Sequence, residues 1–144
     1  MSIWRSPVKS LPQKSVKSES DPSGIPQHTR GAKLDAGKLA IYSMVIKYFS
    51  PALRAVGWLS NTGANKYTYG GWSAVENAGE RYLEAQIRHI FDLAEGQEYD
   101  MVYEDPDTGT KYFHHHLVSD AWNALAALTK AIEAGLVTEY TEKT

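Results

Sequence analysis

The chain has 144 residues, a formal net charge of -2 and no cysteine. Without cysteine it has no disulfides, thiolate zinc sites or cysteine nucleophiles. Its charge balance lacks the basic surface that a nucleic-acid polymer requires. No apolar run reaches the roughly 18–20 residues that span a bilayer, and the N-terminus has no apolar signal segment. We therefore expect a cytoplasmic protein without membrane or nucleic-acid-polymer partners.

Composition divides the chain into three parts. Residues 1–30 hold four prolines and many Ser and Lys residues without helical or strand periodicity, which indicates a flexible N-terminal arm. Residues 31–137 carry the periodic apolar patterns of a helical domain, and residues 138–144 form a C-terminal tail.

The first half of this domain predicts one clear helix. A glycine-containing loop leads into an apolar stretch from Leu39 to Phe49 that could form a further helix. Ser50 and Pro51 suit the N-cap and first turn of a helix, which should end near Asn61–Gly63.

Two longer helices follow. Gly70-Gly71 predicts a turn, after which Ser73 or Asn77 caps a helix that ends at Gly96. Residues 96–113 predict a loop, with room for a short hairpin around the sequence DPDTG, and the last helix runs from His114 to a C-cap at Gly135. Its apolar stripe consists of Leu117, Ala121, Leu125, Leu128 and Ile132. Strand signals are weak, so the pattern predicts an all-α helical bundle.

Oxygen ligands on these two helices suggest a metal site. Glu80 and Glu84 lie one turn apart on the first helix, and Asp120 and Asn123 lie three apart on the second. Antiparallel packing would bring them together as the oxygen cage that Mg²⁺ or Mn²⁺ prefers. Spacing alone favours the alternative for the two glutamates, a solvated face that is ion-paired with Arg88.

Histidine and aromatic residues offer further candidates. His114, His115 and His116 point in different directions on a helix, so they cannot all bind one ion; His116 is the best placed, and a polar helix entry is the alternative. Trp72 either stacks on a base or fastens its loop to the core.

The order of motifs resembles the phage-type dATP/dGTP diphosphohydrolases, a branch of the MazG-like all-α nucleotide pyrophosphohydrolases. The islands that carry the resemblance are Lys33-x-Asp35-x-Gly37-Lys38; Gly63-Ala64-x-Lys66-Tyr67 with Trp72; Tyr82-Leu83-Glu84-Ala85-x-x-Arg88-His89 with Gly96-x-Glu98-x-Asp100; and His116-Leu117 with Ala121-Trp122-Asn123. Two positions depart from the pattern: Glu80 and Glu84 are four apart rather than three, and Ser119 stands where a second histidine is expected.

The resemblance implies two or more Mg²⁺ or Mn²⁺ ions held by acids from neighbouring helices, and water attack on a triphosphate. It implies catalytic roles for Glu84, Asp120 and His89, and metal ligands at Glu80, Glu84, Asp120 and Asn123. The implied nucleotide contacts are Lys33, Asp35, Lys38, Lys66, Tyr67, Trp72, Arg88 and His116.

The implied reaction converts a purine deoxynucleoside triphosphate, dGTP or dATP, to the monophosphate and pyrophosphate. The implied setting is the nucleotide pool of a bacteriophage in the host cytoplasm, and the implied assembly is a homodimer or homotetramer. A non-catalytic helical interaction module is the alternative from another class. A phosphohydrolase of the HD type is disfavoured because the chain has no His-Asp dipeptide.

Overall fold

A computed structural model describes residues 19–139 of the chain. Residues 1–18 and 140–144 lie outside the described residues, and with them most of the predicted arm and tail. The described chain forms two compact units, residues 19–50 and residues 51–139. In the described part, no helix is long and apolar enough to cross a membrane.

The first unit is a looped segment organised around Asp21. Its two carboxylate oxygens accept the backbone N–H groups of Ser23 and Lys33 at 2.7 and 2.6 Å. The bond from Lys33 is the main reason why the pKa of Asp21 lies below its ordinary value. A short π-helix, Tyr42–Ile46, follows, and every side chain of residues 41–50 is exposed.

Helix α1 spans Lys47–Lys66. The predicted start at Ser50-Pro51 is wrong, because the helix begins earlier and Pro51 is its fifth residue. Because the π-helix runs directly into α1, Pro51 lies inside a continuous helical segment, and its missing N–H removes one internal hydrogen bond without ending the helix. The predicted end near Asn61–Gly63 is also early, since the last turn reaches Lys66.

The second unit is built on two helices, α2 (Ala78–Ala94) and α3 (His116–Glu133). Asn77 is the N-cap of α2 in a left-handed conformation, and Gly135 follows the end of α3 with a φ of 70°, as predicted for these two positions. A 3₁₀ turn, Gly71–Ala74, precedes α2. Trp72, just before α2, contacts Lys130 near the end of α3, whereas His89, late in α2, contacts His116 at the start of α3. The two helices therefore pack antiparallel.

An antiparallel hairpin connects these helices. Strand β1 (Tyr99–Glu104) pairs with strand β2 (Lys111–His115), with an irregularity between Met101 and Tyr103. The all-α prediction is wrong on this point, whereas the hairpin around DPDTG is confirmed. Its turn is fixed by Asp105, whose side chain accepts the backbone N–H of Asp107 at 2.8 Å.

The last helix begins later than predicted, because its first two predicted residues lie in the hairpin. His114 and His115 belong to β2, so α3 begins at His116 rather than at His114. The His115 side chain accepts the N–H of Leu117 at 3.1 Å and caps the helix. His114 Nε2 lies 2.7 Å from Thr62 Oγ1, a contact between the hairpin and α1 that holds this residue in the strand.

Small and polar residues form the contact between α2 and α3. The buried residues of α3 are His116, Ser119, Asn123 and the alanines 126, 127 and 131. Three members of the predicted apolar stripe of α3 face outward instead: Leu117, Leu125 and Leu128 are 59%, 46% and 49% exposed. The other two, Ala121 and Ile132, are half-buried.

Candidate functional site

An open cleft of about 1490 Å³ lies in the second unit. Its walls come from the C-terminal half of α1, the segment that leads to α2, α2 itself, β1 and the first half of α3. Two side-chain bonds fix α1 against the other walls: Trp122 Nε1 donates to Ser60 Oγ at 2.8 Å, and His114 contacts Thr62.

Two histidines and a carboxylate meet at this cleft. His89 and Asp92 lie three residues apart on α2, which places both side chains on one helix face, and His116 starts α3 opposite them. One donor atom from each of the three lies within 4.8 Å of the other two. In the part of the chain that the structure describes, this is the one group of three or more histidine, Asp or Glu side chains close enough to hold an ion.

The geometry of the two imidazoles restricts their protons. Their Nδ1 atoms are 2.8 Å apart, so one nitrogen must donate a proton and the other must accept it. Burial, followed by the nearby His116, lowers the pKa of His89, which keeps this pair from carrying two charges. Asp92 Oδ2 lies 3.7 Å from His116 Nδ1, and His116 is buried. Neutral imidazole and ionised carboxylate are the forms that bind a divalent cation.

Asp100 is a further acidic group near this cluster. It lies on β1, lines the cleft and raises the pKa of His89, against the larger effect of burial. Its cross-strand partner is His114, whose pKa is lowered by burial. Thr62 already donates its hydroxyl proton to Trp58 O, so it must accept from His114, which fixes the Nε2–H tautomer of that histidine.

The predicted oxygen ligands occupy different positions. Glu80 and Glu84 are exposed and line the cleft. Asn123 also lines the cleft but is buried, and its Nδ2 donates to Ser119 O at 2.7 Å. Asp120 is not among the residues that line the cleft. Its Oδ1 is buried and has no hydrogen-bond partner within residues 19–139, and it lies one helical turn beyond His116.

The predicted phosphate contacts fall in both units. Lys66 and Arg88 line the cleft, where they could meet an anionic ligand. Lys33, Asp35 and Lys38 belong to the first unit, where Lys33 pairs with Asp35 and Lys38 with Glu19, each at 3.3 Å. Exposed pairs of this kind are weak, so both lysines can exchange their partners for a phosphate.

Aromatic side chains form another part of the cleft. Trp72, Tyr82 and Trp122 meet edge to face, with ring centroids 5.4 to 6.0 Å apart. The Tyr82 hydroxyl donates to Trp72 O at 2.9 Å, and these contacts are the ones expected if Trp72 fastens its loop to the core. Tyr69 is 97% exposed, which leaves its ring open to a ligand. Tyr67 is 72% exposed, and Lys66 Nζ lies 5.3 Å from the centroid of its ring.

The sequence identified His89 and His116 as site residues but missed Asp92. Tyr82, Asp100 and Trp122 stood in the quoted motifs without a role. The spacing of His89 and Asp92 was a usable signal, because side chains three apart on a helix share a face. Their meeting with His116 depends on the antiparallel register of α2 and α3, which no local pattern specifies.

A polar, aromatic cleft with converging histidine and carboxylate groups is the kind of site that binds a small charged substrate and acts on it. Comparison with protein families identifies the substrate class. The family described as "dATP/dGTP diphosphohydrolase, N-terminal" matches residues 28–139. This match covers most of the chain, so the chain belongs to that family, as its motifs predicted. No curated protein matches the chain significantly, and no solved structure does.

Proposed function

We propose that the chain hydrolyses a purine deoxynucleoside triphosphate, dGTP or dATP, to the monophosphate and pyrophosphate with the help of a divalent cation. Membership of the dATP/dGTP diphosphohydrolase family supports the substrate class. The observation that carries the chemistry is the group formed by His89, Asp92 and His116, whose donor atoms lie within 4.8 Å of one another.

The donor set fits a divalent ion. Two imidazole nitrogens and one carboxylate oxygen favour Mn²⁺ over Mg²⁺, because Mg²⁺ prefers ligands that are all oxygen. A divalent ion held there would neutralise phosphate charge and lower the pKa of a bound water. The exposed carboxylates of Glu80 and Glu84 and the half-buried carboxylate of Asp100 would supply oxygen ligands along the cleft for a second ion. The buried, unpaired Oδ1 of Asp120 is an oxygen that needs a cationic partner.

Side chains of this chain would bind the phosphates, hold the base and accept a proton. Arg88 and Lys66 bind the phosphates in the cleft, and charge-assisted hydrogen bonds from guanidinium groups favour such anions. The exposed rings of Tyr67 and Tyr69 hold the base by stacking, with Trp72 as a fixed wall. His89, whose pKa is lowered by burial, stays neutral near pH 7 and can serve as a metal ligand, while the exposed carboxylate of Glu84 on the cleft would accept a proton from water.

The distance between the aromatic cluster and the histidine pair along α2 supports this placement of the nucleotide. Tyr82 and His89 are seven residues apart on α2, which separates the aromatic cluster from the histidine pair by roughly 10 Å along the helix axis. A nucleotide whose reacting phosphate lies at His89 and His116 would therefore extend its sugar and base toward the aromatic cluster.

The test measures consumption of each of the eight common NTPs and dNTPs with Mn²⁺, Mg²⁺ or chelator. The variants are Asp92→Asn and Glu84→Gln, and the matched control is Glu95→Gln, an exposed acid at the end of α2 outside the cleft. We expect metal-dependent turnover of dGTP or dATP, lost by at least about 100-fold in Asp92→Asn and retained in the control. Absence of turnover with every nucleotide and both metals would favour a non-catalytic interaction module.

A further inference from the structure

Asn77 carries a side-chain amide on the wall of the cleft that the fold itself does not use. The residue is the N-cap of α2, is exposed and lines the cleft. An N-cap asparagine ordinarily accepts a backbone N–H from the first turn of its helix, but Asn77 makes no such bond. Within residues 19–139 its amide has no hydrogen-bond partner. One acceptor and two donor hydrogens are therefore available to a ligand.

The backbone of Asn77 explains why its side chain does not cap the helix. Its φ of 51° and ψ of 35° are left-handed, whereas a capping residue has an extended backbone. Among residues 19–139, His28 is the one other non-glycine residue with a positive φ. This conformation is unfavourable for most side chains, and glycine, asparagine and aspartate adopt it most readily. Glycine and aspartate can therefore replace Asn77 without disturbing the turn.

Asn77 also begins a row of polar residues along α2. Glu84 and Arg88 follow it by 7 and 11 residues, which places all three within about 20° of one line on the helix, and all three line the cleft. Arg88 ends the row beside His89, where the phosphates would bind. Asn77 lies at the other end, roughly 10 Å from Glu84 along the axis, and Tyr82 of the aromatic cluster lies between them.

We propose that the Asn77 amide binds the outer edge of the purine and contributes to the choice of base. This inference rests on the proposed function. The sugar is attached to the five-membered ring of a purine, and the hydrogen-bonding edge of the six-membered ring lies on the opposite side. A nucleotide with its phosphates near Arg88 and its base against the aromatic cluster would therefore present this edge to Asn77. The amide can donate to an acceptor of the base and accept from a donor.

Asn77→Asp tests the contact through the ratio of kcat/KM for dGTP to kcat/KM for dATP. A carboxylate only accepts hydrogen bonds, so it suits the ring N–H and amino group of guanine and opposes the bare ring nitrogen of adenine. The ratio should rise by at least about 10-fold, because hydrogen bonds to charged groups are the stronger ones. The ratio cancels effects on folding, since both substrates meet the same enzyme. The control is Asn65→Asp, which adds the same charge to an exposed residue of α1 outside the cleft.

Asn77→Gly separates base binding from a structural role. Glycine adopts a positive φ freely, so the variant should have a Tm no lower than that of the wild type. Loss of the amide should nevertheless lower kcat/KM for the preferred purine nucleotide about 5-fold. Calorimetric titration with dGMP and dAMP should show the same loss of affinity without any turnover.

Three results would overturn the proposal. They are an unchanged ratio in Asn77→Asp, the same shift of the ratio in Asn65→Asp, and unchanged affinity for both monophosphates in Asn77→Gly. A fall in the Tm of Asn77→Gly that accounts for its loss of activity would assign the residue to the fold instead. If the wild-type chain turns over no nucleotide, the proposed function fails, and the titrations with dGMP and dAMP still decide whether Asn77 binds the base.

Discussion

Stabilisation of the fold by Mn²⁺, and its loss in Asp92→Asn, follows from the geometry of the histidine–carboxylate group. The three donor atoms come from α2 and α3, so an ion bound to all of them ties the two helices together in the folded state only. A ligand at 100 times its Kd stabilises the folded state by about 2.7 kcal/mol. For a domain of this size, that is a rise in Tm of roughly 8 °C.

Removal of the carboxylate should abolish most of this effect. Changes to groups that support a metal site cost 10- to 100-fold in affinity, and a direct ligand should cost at least that much. At a 100-fold loss, the same Mn²⁺ concentration stabilises Asp92→Asn by only about 0.4 kcal/mol. Differential scanning calorimetry with and without Mn²⁺ measures both values, and Glu95→Gln should keep the full shift.

Two outcomes would contradict a metal site at His89, Asp92 and His116. Equal shifts of Tm in the wild type and in Asp92→Asn would place the ion elsewhere, and no shift in either would leave the two histidines as a hydrogen-bonded pair. The shift should also shrink as pH falls through the pKa of His89, which burial holds below the ordinary value of 6.5, because protonated imidazole does not bind metal.

Three further predictions concern the walls of the cleft. Ser60→Ala removes the acceptor of the Trp122 indole N–H and should cost about 1 kcal/mol in urea unfolding, with a higher KM for nucleotide. Burial lowers the pKa of His114, so below pH 6.5 the unfolded chain binds more protons than the folded chain. The free energy of unfolding should therefore be highest above pH 6.5 and fall as pH falls. His114→Gln should flatten this pH dependence, measured by unfolding between pH 5 and 7. Gly70 has a φ of 67°, so Gly70→Ala should cost about 1–2 kcal/mol by chemical denaturation, and Gly57→Ala in helix α1 should not.

Helices α2 and α3 were predictable because their apolar residues recur at helical spacing between clear start and stop signals. The hairpin was predicted only around its turn, and the extent of β2 was missed, because this strand is only five residues long and its Lys-Tyr-Phe-His-His sequence continues directly into a helix. His114 is held in the strand by a contact with Thr62, 52 residues away, and local propensity carries no information about such a contact.

Periodicity also left open which face of each helix is covered. The leucine stripe of α3 looked like a bundle core, yet the contact with α2 uses alanines and polar residues. The same limit applies to the site: each histidine was identifiable as a candidate, whereas the pairing of His89 with His116 required the register between two helices. The family motifs specified the substrate class without specifying that geometry.

The products formed from dGTP test the central claim most directly. Purified protein would be incubated with dGTP and Mn²⁺ in water enriched in ¹⁸O, and the products would be resolved by chromatography and mass spectrometry. The account predicts dGMP and pyrophosphate in equal amounts and no dGDP. Release of orthophosphate with dGDP, or of intact triphosphate with deoxyguanosine, would contradict it.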